Sequence, residues 1–299
     1  MTVDLTGKTA VVTGGSGVLG SAMCRGLARS GAKVAILARG MEKANRLAQS
    51  IKQDGGTALA FSCDVLDSQA LKHCAEYIAE AFGPCDILLN AAGGNNPRAT
   101  TLKEWLDEED KKRIRSSVRN KATGNIRENM ASETDAPTFF ELDPEGVRSA
   151  FDLNFMGTFI PTQIFASQML EREGATIINM ASMGSFAPMT KVPAYCAAKA
   201  AIVNFTEWLA VHLAPVGIRV NAIAPGFFLG EQNKRLLQNE DGSLTLRGQK
   251  IIARTPAGRF GVPSDLVGTL LWLCDSSASG FITGSVIAVD GGFCAFTGI

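Results

Sequence analysis

Two hydrophobic rhythms alternate along the chain. Short, nearly continuous apolar runs stand at Thr9–Thr13, Lys33–Ala38, Ala58–Cys63, Asp86–Asn90, Thr176–Met180, Ile218–Ile223 and Val286–Val289. Unbroken apolarity is what a strand covered on both faces shows, whereas a half-exposed strand alternates. Between the runs, stretches such as Asp67–Phe82 and Ala194–Leu213 carry apolar residues at helical spacing, and Gly31 marks the end of the first helix. The succession predicts βαβ units and an α/β fold: a Rossmann-type, doubly wound parallel β-sheet flanked by helices on both faces.

One segment, about 95–137, breaks this rhythm. It follows the fourth run, turns polar, and carries Lys-Glu-Trp-Leu-Asp-Glu-Glu-Asp-Lys-Lys-Arg over 103–113 without a strand-like stretch. A solvated helical excursion is the expected form. A cap bordering the active site is the alternative, because the segment leaves the sheet at a strand's carboxyl end. No repeat or low-complexity linker divides the chain, so 1–299 reads as one Rossmann-fold domain with an insertion, plus a substrate loop at about 227–257.

Composition narrows the class. Hydrophobic residues make up 46% of the 299 and charged residues 19%, enough for a large core and against global disorder. Lys plus Arg balance Asp plus Glu at 29 each, so no electrostatic footprint for nucleic acid or an anionic membrane is expected. The seven cysteines form no CxxC pair, and only two histidines are present (His73 and His212). These point to reduced thiols and no metal site. The N-terminal residues carry no signal-like pattern and no apolar stretch is long enough to span a membrane, so a soluble cytoplasmic protein is expected.

Candidate chemistry begins at Thr13-Gly-Gly-Ser-Gly-Val-Leu-Gly20, between the first strand and first helix. Glycines there let backbone N–H groups approach a pyrophosphate at a helix N-terminus. Gly20 is followed by Ser-Ala, not the Lys-Ser/Thr of a Walker loop, which argues against a triphosphate-hydrolysing site. At the end of the second strand Ala38 offers no carboxylate for ribose hydroxyls, whereas Arg39 could pair with a 2′-phosphate. The expected cofactor is therefore NADP, with NAD the alternative.

Tyr195 and Lys199 stand four residues apart, on one face of a predicted helix. A lysine beside a tyrosine is expected to lower the phenol's pKa and suit it to proton transfer. These residues do not stand alone. The Thr13–Gly20 turn, Cys63-Asp64-Val65, Asn90-Ala-Ala-Gly93, Asn154, Ser182, Tyr195, Lys199, Ala224-Pro-Gly226 and the Val289-Asp-Gly-Gly292 ending occur in order. Together they resemble the short-chain dehydrogenase/reductase superfamily over nearly the whole chain.

The resemblance implies an oxidoreductase that transfers hydride between nicotinamide and a carbonyl or secondary alcohol. It implies Tyr195 as general acid/base, Ser182 as donor to the reacting oxygen, Lys199 on the nicotinamide ribose, and Asn154 positioning a water. Cofactor contacts are implied for Gly14, Ser16, Gly17, Val18, Leu19, Gly20, Arg39, Asp64, Val65, Asn90, Ala91, Ala92, Gly93, Tyr195, Lys199, Pro225 and Gly226. A homotetramer or homodimer is also implied.

Two departures stand out. The turn spacing, with Val18 where the shorter branch has glycine, is that of the extended branch, but the C-terminal motifs fit the shorter one. Asn90 and Asn154 are also about 40 residues further apart than the shorter branch needs.

The turn, the long segment after Gly94, and the stretches Asn239–Thr245 and Gly258–Gly261 resemble the D-mannonate oxidoreductase (fructuronate reductase) subgroup. This implies a small-molecule substrate, D-fructuronate/D-mannonate or a related sugar acid. Candidate substrate residues are Asn95, Arg98, Ser182, Tyr195 and Asn233, with Arg98 favoured for the carboxylate. Phe227 and Phe228 are expected to pack the substrate loop. The alternatives are a 3-oxoacyl-thioester reductase, a sugar-nucleotide epimerase, and a non-catalytic cofactor-binding protein.

Overall fold

A computed structural model describes residues 3–122, 137–230 and 234–298. Seven strands form one parallel sheet: β1 (Thr9–Thr13), β2 (Lys33–Ala38), β3 (Thr57–Ser62), β4 (Ile87–Asn90), β5 (Thr176–Met180), β6 (Arg219–Pro225) and β7 (Val286–Val289). Their spatial order is β3-β2-β1-β4-β5-β6-β7. The order reverses between β1 and β4, which opens a crevice at the carboxyl ends of those two strands, where open α/β sheets bind ligands. The Rossmann-type expectation holds, and strand positions agree within a residue or two.

The largest boundary difference is at β6, which runs on through Ala224 and Pro225. Those residues pair with Ala288 and Val289 of β7. At the last strand position proline's missing N–H leaves no gap in the ladder.

The main helices are α1 (Val18–Arg29), α2 (Met41–Gln53), α3 (Ser68–Phe82), α4 (Glu108–Ala122), α5 (Pro144–Phe151), α6 (Gly157–Ala166), α7 (Pro193–Leu213), α8 (Lys234–Leu237), α9 (Leu246–Ala253) and α10 (Val267–Cys274). Side chains alternate across each strand, so the sheet feeds two cores. Ala10, Val12, Val34 and Ile36 meet Met23 and Leu27 of α1, Leu47 and Ile51 of α2, and Leu270 and Leu273 of α10. Val11, Ala35 and Leu37 meet Leu71 and Ile78 of α3, Phe165 of α6, and Phe205 and Leu209 of α7.

Asn154 sits in a π-helical turn, Asp152–Met156, between α5 and α6. A π-turn makes room for an extra residue and is a recurrent way to aim a side chain inward. Pro161, inside α6, has no N–H to give the preceding turn, so the irregularity continues there.

The segment after β4 starts with a 3₁₀ turn, Pro97–Ala99, and then forms α4. Ala99 is buried against Ala150 and Ala194. Thr101 N–H donates to the Lys191 carbonyl at 2.9 Å, and Glu104 pairs with Lys250 of α9 at 3.1 Å. The start of the segment is thus tied to the stretch preceding α7 and to α9, while α4 is lined with charge.

Candidate active site

The site is built at the crevice between β1 and β4. Thr13 ends β1, and its Oγ accepts from the N–H groups of Ala91 (3.1 Å) and Ala92 (3.2 Å), clamping the chain that leaves β4. Gly14 follows at φ +62°, and a Cβ there would stand 2.8 Å from backbone atoms of Ala91 and Ala92. Only glycine fits both the angle and the approach. Gly14, Ser16 and Gly17 form the turn; Val18, Leu19 and Gly20 open α1. Gly17 caps this helix without a side-chain acceptor, leaving first-turn N–H groups to an external anion.

Asn90 turns away from the crevice. Its Nδ2 donates to Thr162 Oγ1 (2.8 Å) and to Asn179 Oδ1 (2.9 Å), and its own Oδ1 is buried without a partner among the described residues. Asn179 Nδ2 in turn donates to Thr206 Oγ1 at 3.0 Å. This buried polar chain ties β4, β5, α6 and α7 beneath the site. Sequence reasoning missed Thr162, Asn179 and Thr206; the available signal was polar residues inside otherwise apolar strand and helix faces. Asn90 supports the floor, and its side chain is not presented to the groove.

A cleft of about 240 Å³ opens above this floor, lined by Leu19, Ala91, Gly93, Ser182, Tyr195, Lys199, Pro225, Gly226 and Phe227 among others. Ser182 lies just past β5, caps a short 3₁₀ turn by accepting from Gly184 N–H at 3.1 Å, and its hydroxyl acts on the Tyr195 phenol in the direction that lowers its pKa. Tyr195 and Lys199 share one face of α7. The Lys199 ammonium is buried, donates to the Met180 carbonyl at 2.6 Å, and lies 5.9 Å from the Tyr195 ring centre.

Asn154 is fully buried beside them. Its Nδ2 donates to Gly94 O (2.8 Å) and Ala150 O (2.7 Å), and its Oδ1 accepts from Gly94 N–H at 3.1 Å. A Cβ on Gly93 would stand 2.8 Å from Asn154 Oδ1 and 3.2 Å from Lys199 Nζ. Ser182, Tyr195 and Lys199 therefore line one cleft, and Asn154 lies buried behind Gly93 at its edge.

The electrostatics correct one expectation. Burial pushes the Tyr195 phenol above its ordinary range, and the Ser182 hydrogen bond only partly offsets this. Lys199, aimed at a carbonyl and not at the phenolic oxygen, does not bring the phenol down. Its own pKa is lowered to about 8, because burial penalises the ammonium.

The remaining candidates divide. Pro225 and Gly226 line the cleft, with Gly226 held by its N–H to Val289 O at 3.0 Å. Arg39 is exposed at the end of β2, with no ion-pair partner among the described residues. Asp64 is exposed past β3 and accepts from Leu66 N–H at 3.0 Å; Val65 is buried against Gly157.

Arg98 does not face the cleft. It pairs with Asp143 at 2.9 Å, where that carboxylate also caps α5, so its charge is already matched. Asn95 bonds to Thr100 Oγ1 at 2.8 Å. Asn233 lies outside the described residues. Phe227, expected only to pack the substrate loop, lines the cleft, as do Met183 and Met189. Nothing in a lone apolar residue's local sequence marks it as part of a wall.

Among the described residues no group of His, Cys, Asp or Glu is placed to hold a metal ion, and no helix is long and apolar enough to cross a membrane. The turn does fit a dinucleotide, with N–H groups at the start of α1 that no side chain caps and that are free for its phosphates.

Comparison with known proteins agrees with this geometry. The short chain dehydrogenase family model matches residues 8–127, and the Enoyl-(Acyl carrier protein) reductase model of the same kind matches 125–294. An uncharacterised oxidoreductase of Bacillus subtilis is 50% identical over 296 residues, covering 99% of this chain and 98% of the relative. A crystal structure from Haemophilus influenzae, provisionally assigned as a D-mannonate oxidoreductase and holding NAD, is 44% identical, with a TM-score of 0.88 and 99% and 98% coverage. The 2-dehydro-3-deoxy-D-gluconate 5-dehydrogenase of Dickeya dadantii is 32% identical over 295 residues, covering 98% of each chain. With the Gly-rich turn at the sheet's switch point and Ser182, Tyr195 and Lys199 in one cleft, the chain belongs to the short-chain dehydrogenase/reductase family and is an oxidoreductase acting on alcohol and keto groups.

Proposed function

We propose that the enzyme interconverts a sugar acid and its keto form, D-mannonate and D-fructuronate, with a nicotinamide dinucleotide. The observation that carries this reading is the cleft itself, which Ser182, Tyr195 and buried Lys199 line together at the crevice of the sheet. The sugar-acid part is supported by the names of the Haemophilus and Dickeya relatives.

When bound, the nicotinamide supplies or accepts the hydride. The protein's residues do the rest. Tyr195, protonated at neutral pH because burial raises its pKa, gives its phenolic proton to the carbonyl oxygen during reduction and takes it back during oxidation. Ser182 hydrogen-bonds the same oxygen as charge develops on it. Lys199 holds the ribose hydroxyls. Asn154 acts as a positioning residue, fixing Gly93 and Gly94 through its three bonds. Gly17 and the first turn of α1 take the phosphates.

Arg39 supports acceptance of a 2′-phosphate, hence NADP, while the Haemophilus relative holds NAD. Steady-state oxidation of D-mannonate and related sugar acids with both coenzymes, and reduction of their keto forms, tests the proposal. Turnover of acetoacetyl thioester in preference to every sugar acid would overturn it. Arg39→Ala should weaken NADP far more than NAD; equal loss on both removes Arg39 from coenzyme choice.

A further inference from the structure

Ser182 and Tyr195 belong to different elements, so the loop between them decides how their hydroxyls stand to one another. That loop runs from the 3₁₀ turn Met183–Ser185 to the start of α7 at Pro193. Two of its residues, Met183 and Met189, line the cleft beside Ser182 and Tyr195. Backbone bonds close the loop locally: Ser185 N–H to Ser182 O at 2.9 Å, Ala187 N–H to Met183 O at 3.0 Å, and Val192 N–H to Met189 O at 3.4 Å. These bonds shape the loop; they do not set its distance from α7.

A side chain that does so is Cys196, the neighbour of Tyr195. It is buried, and its Sγ accepts from Met189 N–H at 3.3 Å. The same sulfur lies against the 3₁₀ turn: a Cβ on Gly184 would stand 2.9 Å from it, and 3.4 Å from both Ser182 Oγ and Met189 Cε. Gly184 N–H in turn donates to Ser182 Oγ at 3.1 Å. A hydroxyl that accepts there keeps its own proton to give, so the place of Gly184 sets the direction in which Ser182 donates. One sulfur thus touches the loop twice, at Gly184 beside Ser182 and at Met189 in the wall.

We infer that Cys196 is a positioning residue of the active site: its sulfur, seated against Gly184 and accepting from Met189, fixes the Ser182 hydroxyl and the Met189 wall relative to Tyr195. The inference rests on the roles given above to Ser182 and Tyr195, and it holds whichever alcohol or keto compound is the substrate. Burial pushes the Cys196 thiol up and keeps it neutral near pH 7, so it acts there through shape and hydrogen bonding and not through charge.

The test compares wild type, Cys196→Ser and Cys196→Ala by kcat, KM, dinucleotide titration, thermal midpoint and the pH profile of alcohol oxidation. Serine keeps an acceptor at this position; alanine removes the acceptor and the bulk together. Cys196→Ala should lose about 10-fold or more in kcat, with kcat/KM falling alongside, because a misplaced Ser182 weakens an interaction realised in the transition state. Its dinucleotide affinity should stay within about twofold, and Cys196→Ser should recover most of the lost rate. The alkaline climb of oxidation should also be centred at higher pH in Cys196→Ala than in Cys196→Ser, since the Ser182 hydroxyl holds the phenol's pKa down. Both variants lack the thiol and keep Lys199, so the difference between them reports the place of Ser182. Gly184→Ala, whose methyl would press on the sulfur, should lower kcat in the same way.

Wild-type kcat in Cys196→Ala overturns the inference. So does a loss confined to the thermal midpoint, which marks an ordinary core residue, and so does an equal rate loss in Cys196→Ser. If Cys196→Ala does not fold, wild-type kinetics in Gly184→Ala overturn it instead. Assays on D-mannonate and on neutral D-mannitol keep the outcome separate from the sugar-acid reading. A wild type that oxidises only D-mannitol overturns that reading, and the Cys196 comparison then runs on D-mannitol. Full turnover in Tyr195→Phe overturns the roles of Ser182 and Tyr195, and this one with them.

Discussion

Gly93→Ala is the sharpest probe of the site, because one methyl group would enter the contact between two residues of the proposed machinery. The new Cβ would stand 2.8 Å from Asn154 Oδ1 and 3.2 Å from Lys199 Nζ, where ordinary contact begins near 3.4 Å. Gly93 is not at positive φ, so the backbone itself tolerates alanine. Asn154 cannot swing aside cheaply: it is fully buried, and its three bonds to Gly94 and Ala150 would break.

Leaving one or two of those groups unpaired costs about 1–3 kcal/mol each, and overpacking adds about 1–3 kcal/mol. Moving Lys199 by even 1 Å can cost about 100-fold in rate. Gly94→Ala is the internal control, since its Cβ would meet only Leu153 at an ordinary 3.7 Å. Purified variants are compared by kcat for the sugar acid, by dinucleotide titration, and by thermal midpoint. Gly93→Ala should lose about 10- to 100-fold in kcat together with several degrees of stability, and Gly94→Ala should resemble wild type. Indistinguishable variants would refute the close three-way packing of Gly93, Asn154 and Lys199.

Three further outcomes are expected. Tyr195→Phe should abolish turnover while dinucleotide affinity stays within a few fold; near wild-type turnover would remove the phenol from the mechanism. Because burial holds the Tyr195 proton on, carbonyl reduction should be flat through neutral pH and alcohol oxidation should climb as pH becomes alkaline; an oxidation rate that falls above neutrality would contradict this. Lys199, lowered to about 8 from an ordinary value near 10.4, is destabilising when protonated, by about 3 kcal/mol below pH 8, with relief as pH rises toward its unfolded value. Lys199→Met should therefore be inactive yet more stable than wild type at pH 7, with the gap closing near pH 10; denaturant unfolding at the two pH values reads the sign.

Much of this molecule was legible from local pattern. Seven apolar runs named seven strands because burial on both faces leaves no polar alternation, and the glycine spacing named the turn because positive φ and close approach at Gly14 admit nothing else. The pair Tyr195 and Lys199 was visible because four residues make about one helical turn.

What only the folded chain decided involves partners distant in sequence. Arg98 looked like a free cation until Asp143 met it, 45 positions on. Asn90 looked like a groove residue until Thr162 and Asn179 turned it inward. Lys199 was expected to lower the phenol, but the Met180 carbonyl captured its ammonium and burial set both pKa values. Periodicity and turn chemistry are written in neighbouring residues, whereas charge pairing, desolvation and cleft walls depend on which distant segments the sheet brings together.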